Sequence, residues 1–277
     1  MGDPSAMDRA RAAVREATAL LITAGAGMGV DSGLPDFRGP EGFWRAYPPY
    51  RHLGLRFEEL ASPQWFRHDP PLAWGFYGHR LMLYRATRPH DGFGVLLRLA
   101  ADRPGGAFVY TSNVDGQFQI AGFDPHRIVE CHGSIHRLQC LAGCGQPVFD
   151  AGPFSVEVDP STMRAREPFP SCPRCGALAR PNVLMFGDWD WDGTESGEQA
   201  ARFAIWLESV AAAGHRLAII ELGAGTSLPA VRWMSERVAR AHGASLIRIN
   251  LREAQVPAGQ IGLAMSAREA LLALAAE

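Results

Sequence analysis

Nowhere does the sequence hold the ~20 consecutive apolar residues that a membrane-spanning helix requires. Residues 1–15 mix Asp and Arg, without the apolar core of a secretion signal. A soluble, cytoplasmic protein is expected. Charge of one sign is lacking as well: 27 basic against 29 acidic residues leave a formal charge of -2. No basic field is available to hold nucleic acid by counterion release, so a polymer partner must be met by local contacts. Cysteine is scarce, at five residues, and four of these fall in two close pairs, Cys140/Cys144 and Cys172/Cys175. Without a secretion signal, such pairs favour a metal site over disulfides. Internal repeats and low-complexity tracts are also missing.

What is present suits one substantial core with a small appendage, since 47% of the 277 residues are apolar. Short apolar runs at 19–23, 107–111, 128–131, 183–186, 217–222 and 245–250 end in glycine or polar residues, as buried parallel strands do. Between them, residues 71–84, 91–101, 198–213, 230–242 and 267–275 carry helical spacing. The alternation predicts an α/β fold, a Rossmann-like doubly wound parallel sheet with ligands at the carboxyl ends of its strands. Two stretches break the pattern. Residues 138–180 are dense in Gly, Pro and Cys and form a candidate metal module, and 40–86 reads as a second, helical insertion beginning in a Pro- and aromatic-rich segment. The large domain then comprises 1–39, 87–137 and 181–277.

Within the module, Cys140-x-x-x-Cys144 and Cys172-x-x-Cys175 stand like two knuckles able to close a tetrahedral thiolate site, most simply one zinc ion. Four thiolates leave no open position for water, so the metal is expected to be structural. Cys131 has no such partner and reads as a small core residue.

After the first strand-like run comes Ala24-Gly25-Ala26-Gly27-Met28-Gly29. Glycines there allow a tight turn and bring amide N–H groups against a pyrophosphate, although an ordinary turn has the same look. The continuation Val30-Asp-Ser-Gly-Leu-Pro-Asp-Phe-Arg-Gly39 is more specific. Further along stand Thr111-Ser-Asn-Val-Asp115, Glu130-Cys-His-Gly133, the paired cysteines, Arg180-Pro-Asn-Val-Leu-Met-Phe-Gly187, Gly225-Thr-Ser227 and Ile249-Asn250. This ordered set, spread over nearly the whole chain, resembles the sirtuin family of NAD-dependent protein-lysine deacylases.

The resemblance implies NAD in a groove between a large and a small domain, and acylated lysines of proteins as substrates. It places Gly25, Ala26, Gly27, Asp36, Phe37 and Arg38 around the cofactor, Phe37 screening the reactive ribose and Arg38 beside the phosphates. It assigns His132 as general base, Asn113 to the ribose or an ordered water, and Asp115 to the nicotinamide carboxamide. Gly225, Thr226 and Ser227 would meet phosphate or ribose, Asn250 the adenine ribose and Ala267 the adenine. The acyl group would pass from lysine to ADP-ribose as nicotinamide leaves. Read from residue type alone, Asn113 and Asp115 are equally turn caps, whereas an imidazole with an ordinary pKa of ~6.5 suits His132 to accept a proton at working pH.

Tyr77 and Arg80, three apart on one helix face, are able to clamp a carboxylate. They are similar to the Tyr-x-x-Arg element of sirtuins that remove succinyl, malonyl and glutaryl groups, although that subgroup tends to carry Thr where this chain has Asp36. Acetyl is the first expectation and the acidic acyl groups the second. Phe186 and Gly187 would pair with the substrate backbone. Two positions depart from the family: Gly29 stands where serine is common, and Ser112 where glutamine is. Both departures keep a rival reading open, an NAD or ADP-ribose sensor, or an ADP-ribosyltransferase using the same ribosyl bond.

Overall fold

The computed structural model describes residues 5–35, 48, 50 and 54–276. Asp36, Phe37 and Arg38 lie outside the described residues. The strands are β1 (Ala19–Ala24), β2 (Ala107–Thr111), β3 (Ile128–Glu130), β4 (Gly133–Cys140), β5 (Phe149–Asp150), β6 (Val158–Asp159), β7 (Arg164–Ala165), β8 (Ala179–Val183), β9 (Leu217–Leu222), β10 (Ser245–Ile249) and β11 (Ile261–Leu263).

Six of them form a wholly parallel sheet in the order β11-β10-β9-β1-β2-β3. Every residue of β1 and β9 is buried, which is why these central strands read as largely apolar runs, broken only by Thr23 and by Glu221: helices cover both faces. One face packs against the helices Ala6–Glu16, Asp91–Ala100 and Ala267–Ala275, the other against Thr194–Ala212 and Ala230–His242. From β1 the chain builds outward through β2 and β3, then returns to build through β9, β10 and β11 on the other side. The reversal between β1 and β9 opens a crevice at the carboxyl ends of those strands, where open α/β sheets bind ligands.

A second core holds the rest. The helix Pro70–Ala86 packs on the antiparallel sheet β5-β4-β8 and the hairpin β6-β7, burying Trp74, Phe76, Tyr77, Leu81, Ile135, Leu138 and Ala179. Asp69 caps this helix by accepting from the Leu72 N–H, with Pro70 in the first turn. Among the described residues no helix is long and apolar enough to cross a membrane.

The structure differs from the sequence expectation at 183–186. Val183 is the last residue of β8, which pairs antiparallel with β4, and Leu184–Phe186 leave the sheet. Apolar periodicity missed the strand because two of its five residues, Arg180 and Asn182, are polar yet fully buried, satisfied by Asp188 and Gln139. The edge strand β11 was also invisible, having only three residues with glycine in the middle.

Candidate active site

The crevice begins with two glycine loops packed backbone against backbone. After β1, Gly25 donates to the Leu222 carbonyl (2.9 Å) and Gly27 to the Gly223 carbonyl (3.0 Å). A Cβ on Gly27 would lie 2.7 Å from Gly223 Cα, and one on Gly223, where φ is +60°, would lie 2.4 Å from Gly27 Cα. Side chains are excluded from both positions. Sequence reading missed Gly223; its signal was a glycine directly after an apolar strand, facing the first loop across the switch point.

Around these loops lies a cavity of about 830 Å³. Its wall brings together Gly25, Ala26, Asn113, Asp115, His132, Gly225 and Ser227, with Tyr77, Arg80 and Phe186 at the side of the second core. Gly29 and Ser112 line it as well. Asn250 stands just outside: its Nδ2 donates to the Ala224 carbonyl (2.8 Å), and its Oδ1 accepts from the N–H groups of Arg252 and Glu253 (3.0 Å each). The carboxylate of Glu253 in turn accepts from the N–H and hydroxyl of Thr226. Ala267 is away from the wall, buried in the first core with Ala270 and Leu271. Gly187, with φ of +67°, follows Phe186 beyond the wall.

Three polar side chains converge at the ends of β2 and β3. Asn113 Nδ2 donates to the Gly25 carbonyl (3.0 Å), tying the second strand's loop to the first glycine loop. Asp115 is buried; desolvation pushes its carboxyl up to about 6, although it accepts from the Gln117 N–H and faces Arg80. His132 sits between β3 and β4. Burial lowers its pKa, opposed by the nearby Ser112 backbone carbonyl. In the neutral imidazole one ring nitrogen is a donor and the other an acceptor. The next residue must be glycine: Gly133 has φ of +74°, and a Cβ there would lie 2.1 Å from the Asn182 carbonyl oxygen. Cys131 is no nucleophile in this setting, since burial pushes its thiol up to about 11.

On the second core's side, Arg80 is buried and its guanidinium lies over the rings of Phe76, Tyr77 and Tyr84 at 5.2, 5.6 and 5.4 Å. Its hydrogen-bonded tyrosine is Tyr84, four residues on, whose hydroxyl accepts from Nε (3.1 Å) and Nη2 (2.9 Å). The Tyr77 ring is packed among Phe66 and Phe76. The phenol and guanidinium anticipated from sequence do share the cavity wall, together with a second phenol, Tyr84, that the three-residue spacing did not reveal.

The four paired cysteines meet at the far end of β4. All four sulfurs lie within 4.8 Å of one another, with Cys140 to Cys175 and Cys144 to Cys172 at 3.6 Å. A tetrahedral zinc with Zn–S near 2.3 Å sets sulfurs about 3.8 Å apart, so the donor set fits one structural ion.

A sequence model of the Sir2 family matches residues 25–199, more than half of the chain. The chain belongs to the Sir2 family. Among its relatives, an NAD-dependent protein deacylase of Aquifex aeolicus is 31% identical over 61% of this chain and 62% of its own length, just under two thirds. NAD-dependent protein deacylase 2 of Pyrobaculum aerophilum is 34% identical over 83% of this chain and 79% of its own. The structure of a Sir2 homologue in complex with NAD superposes with a TM-score of 0.69 at 25% identity, covering 96% of this sirtuin and 91% of that chain.

Proposed function

We propose that this sirtuin removes acyl groups from protein lysines in an NAD-dependent reaction, giving nicotinamide, free lysine and O-acyl-ADP-ribose. The observation that carries the reading is the placement of His132 in one cavity with the paired glycine loops, Asn113 and Asp115. NAD bound there supplies an electrophilic ribosyl carbon with nicotinamide as leaving group. The amides of Ala26 and Gly225 and the hydroxyl of Ser227 hold the phosphates and riboses, and Gly25 lets the backbone approach them closely. Asn113, itself bonded to Gly25, orients the reacting ribose. Asp115 faces the carboxamide, and Phe37 and Arg38 complete the cofactor loop. The unprotonated ring nitrogen of His132 accepts the ribose hydroxyl proton, and burial keeps the ring neutral for that role.

The acyl group points toward the wall formed by Tyr77, Arg80 and Tyr84. Acetyl lysine fits the apolar part of this wall; the buried Arg80 guanidinium favours, as a second class, short acyl groups ending in a carboxylate. Phe186 and Gly187 edge the entrance used by the substrate backbone.

The test is nicotinamide release and acyl-ADP-ribose formation with acetyl-, succinyl- and unmodified lysine peptides. His132→Ala should lower kcat by about 10²- to 10⁴-fold with stoichiometric acyl-ADP-ribose in the wild type. Equal nicotinamide release without any acyl peptide, persisting in His132→Ala, would replace deacylation with NAD hydrolysis or ADP-ribosyl transfer.

A further inference from the structure

The helix Pro70–Ala86 carries three wall residues, Tyr77, Arg80 and Tyr84. It also carries two interior glycines, which are poor helix formers. Close approach explains both. A Cβ on Gly75 would lie 2.0 Å from the Met163 carbonyl oxygen, and one on Gly78 would lie 2.5 Å from Val156 Cγ1. Three residues apart, the glycines share a helix face, and that face seats the segment 151–165, which includes the hairpin β6-β7.

Polar ties lock the seat from both ends of the helix. Arg85 donates to the carbonyls of Ala151 and Phe154, each at 2.7 Å. Arg164 pairs with Asp69, the residue that caps the helix. The Tyr50 hydroxyl donates to the Met163 carbonyl (2.5 Å). The segment 151–165 lies between Cys144 and Cys172 in the chain, so the two ligand pairs flank it.

We infer that the metal module's insertion, 151–165, is the positioning element of the acyl-binding wall: through Gly75 and Gly78 it sets the depth of the helix and hence where the Arg80 guanidinium stands. Acyl selectivity is then set from behind the helix by residues that touch no substrate. The inference rests on the reading of Tyr77, Arg80 and Tyr84 as the acyl wall. A displacement near 1 Å at a binding group is enough to change turnover by up to about 100-fold.

The three nearest atoms to a new Cβ at position 78 all belong to the Val156 side chain. Gly78→Ala should therefore push helix and insertion apart, and Val156→Gly should relieve it. With the zinc-loaded full chain, Gly78→Ala is expected to shift selectivity among acetyl, butyryl and succinyl peptides, measured as kcat/KM ratios, by about tenfold or more. KM for NAD should stay within about twofold, and Gly78→Ala/Val156→Gly should return the ratios to within about threefold of wild type. Loss of activity that is uniform across acyl groups, a parallel rise in KM for NAD, or no rescue overturns the inference. If Gly78→Ala does not fold, Val156→Ala, which only opens space at the contact, must move the ratios by about threefold; unmoved ratios overturn it equally. Arg80→Met separates the causes. Ratios that respond to Arg80→Met but not to the position 78 and 156 variants remove the coupling alone, and ratios indifferent to Arg80→Met remove the acyl wall and the inference with it.

Discussion

At the scale of single residues, burial decides protonation. Glu130, one residue before Cys131 and two before His132, is buried, and desolvation pushes its carboxyl up to about 7. Its Oε1 has no hydrogen-bond partner among the described residues. A raised folded pKa means that the proton stabilises the fold below the unfolded value of 4.5, and that this stability is lost as pH rises through about 7. Glu130→Gln removes the need to bury a charge. It should stabilise the protein at pH 8 by roughly 2–3 kcal/mol and make little difference below pH 4.5, as read from urea midpoints across pH. His90 works from the acid side. Its Nδ1 accepts from the Gly92 N–H and its Nε2 donates to the Met28 carbonyl, both at 3.1 Å, and burial lowers its pKa. A lowered folded value costs stability as pH falls below the ordinary ~6.5, because the unfolded chain then binds the extra proton.

Elements explain what no residue pattern could carry. The two glycine loops meet because β1 and β9 are neighbours although almost 200 residues apart in sequence. Gly223→Ala would need both a left-handed backbone and space occupied by Gly27. It should abolish the thermal stabilisation given by NAD and raise KM for NAD by about tenfold or more, where a residue of mere turn geometry would alter melting alone. His132 shows the same dependence on elements. Its motif was legible, but its surroundings were not, because the residue after β3 comes to the Ser112 carbonyl after β2 only when the two strands lie side by side in register.

For the molecule as a whole, the metal site is the keystone of the second core. One zinc per chain is expected by metal analysis. Structural zinc sites contribute about 10 kcal/mol or more in small domains, comparable to the stability of an entire domain. Chelation, or Cys175→Ser, should therefore unfold the second core and the acyl wall while the parallel sheet persists, giving two separate melting transitions in place of one. All 27 basic side chains are arginine, none lysine. The enzyme thus has no side-chain amine of its own to compete with substrate, and its buried ion pairs, Arg180–Asp188 and Arg248–Glu221, use the planar guanidinium to meet carboxylates.

The sequence by itself determined five of the six parallel strands, the helices around them, the cysteine set and the glycine, Asn113, Asp115 and His132 motifs, because each is a local pattern with its own physical signature: apolar runs, ligand spacing, glycine at turns. Only the tertiary structure decided that Gly223 backs Gly27, that β8 runs antiparallel through buried arginine and asparagine, and that Gly75 and Gly78 seat the insertion of the metal module. These are contacts between segments distant in the chain. Their partners are chosen by packing, which leaves no periodic trace in either segment alone.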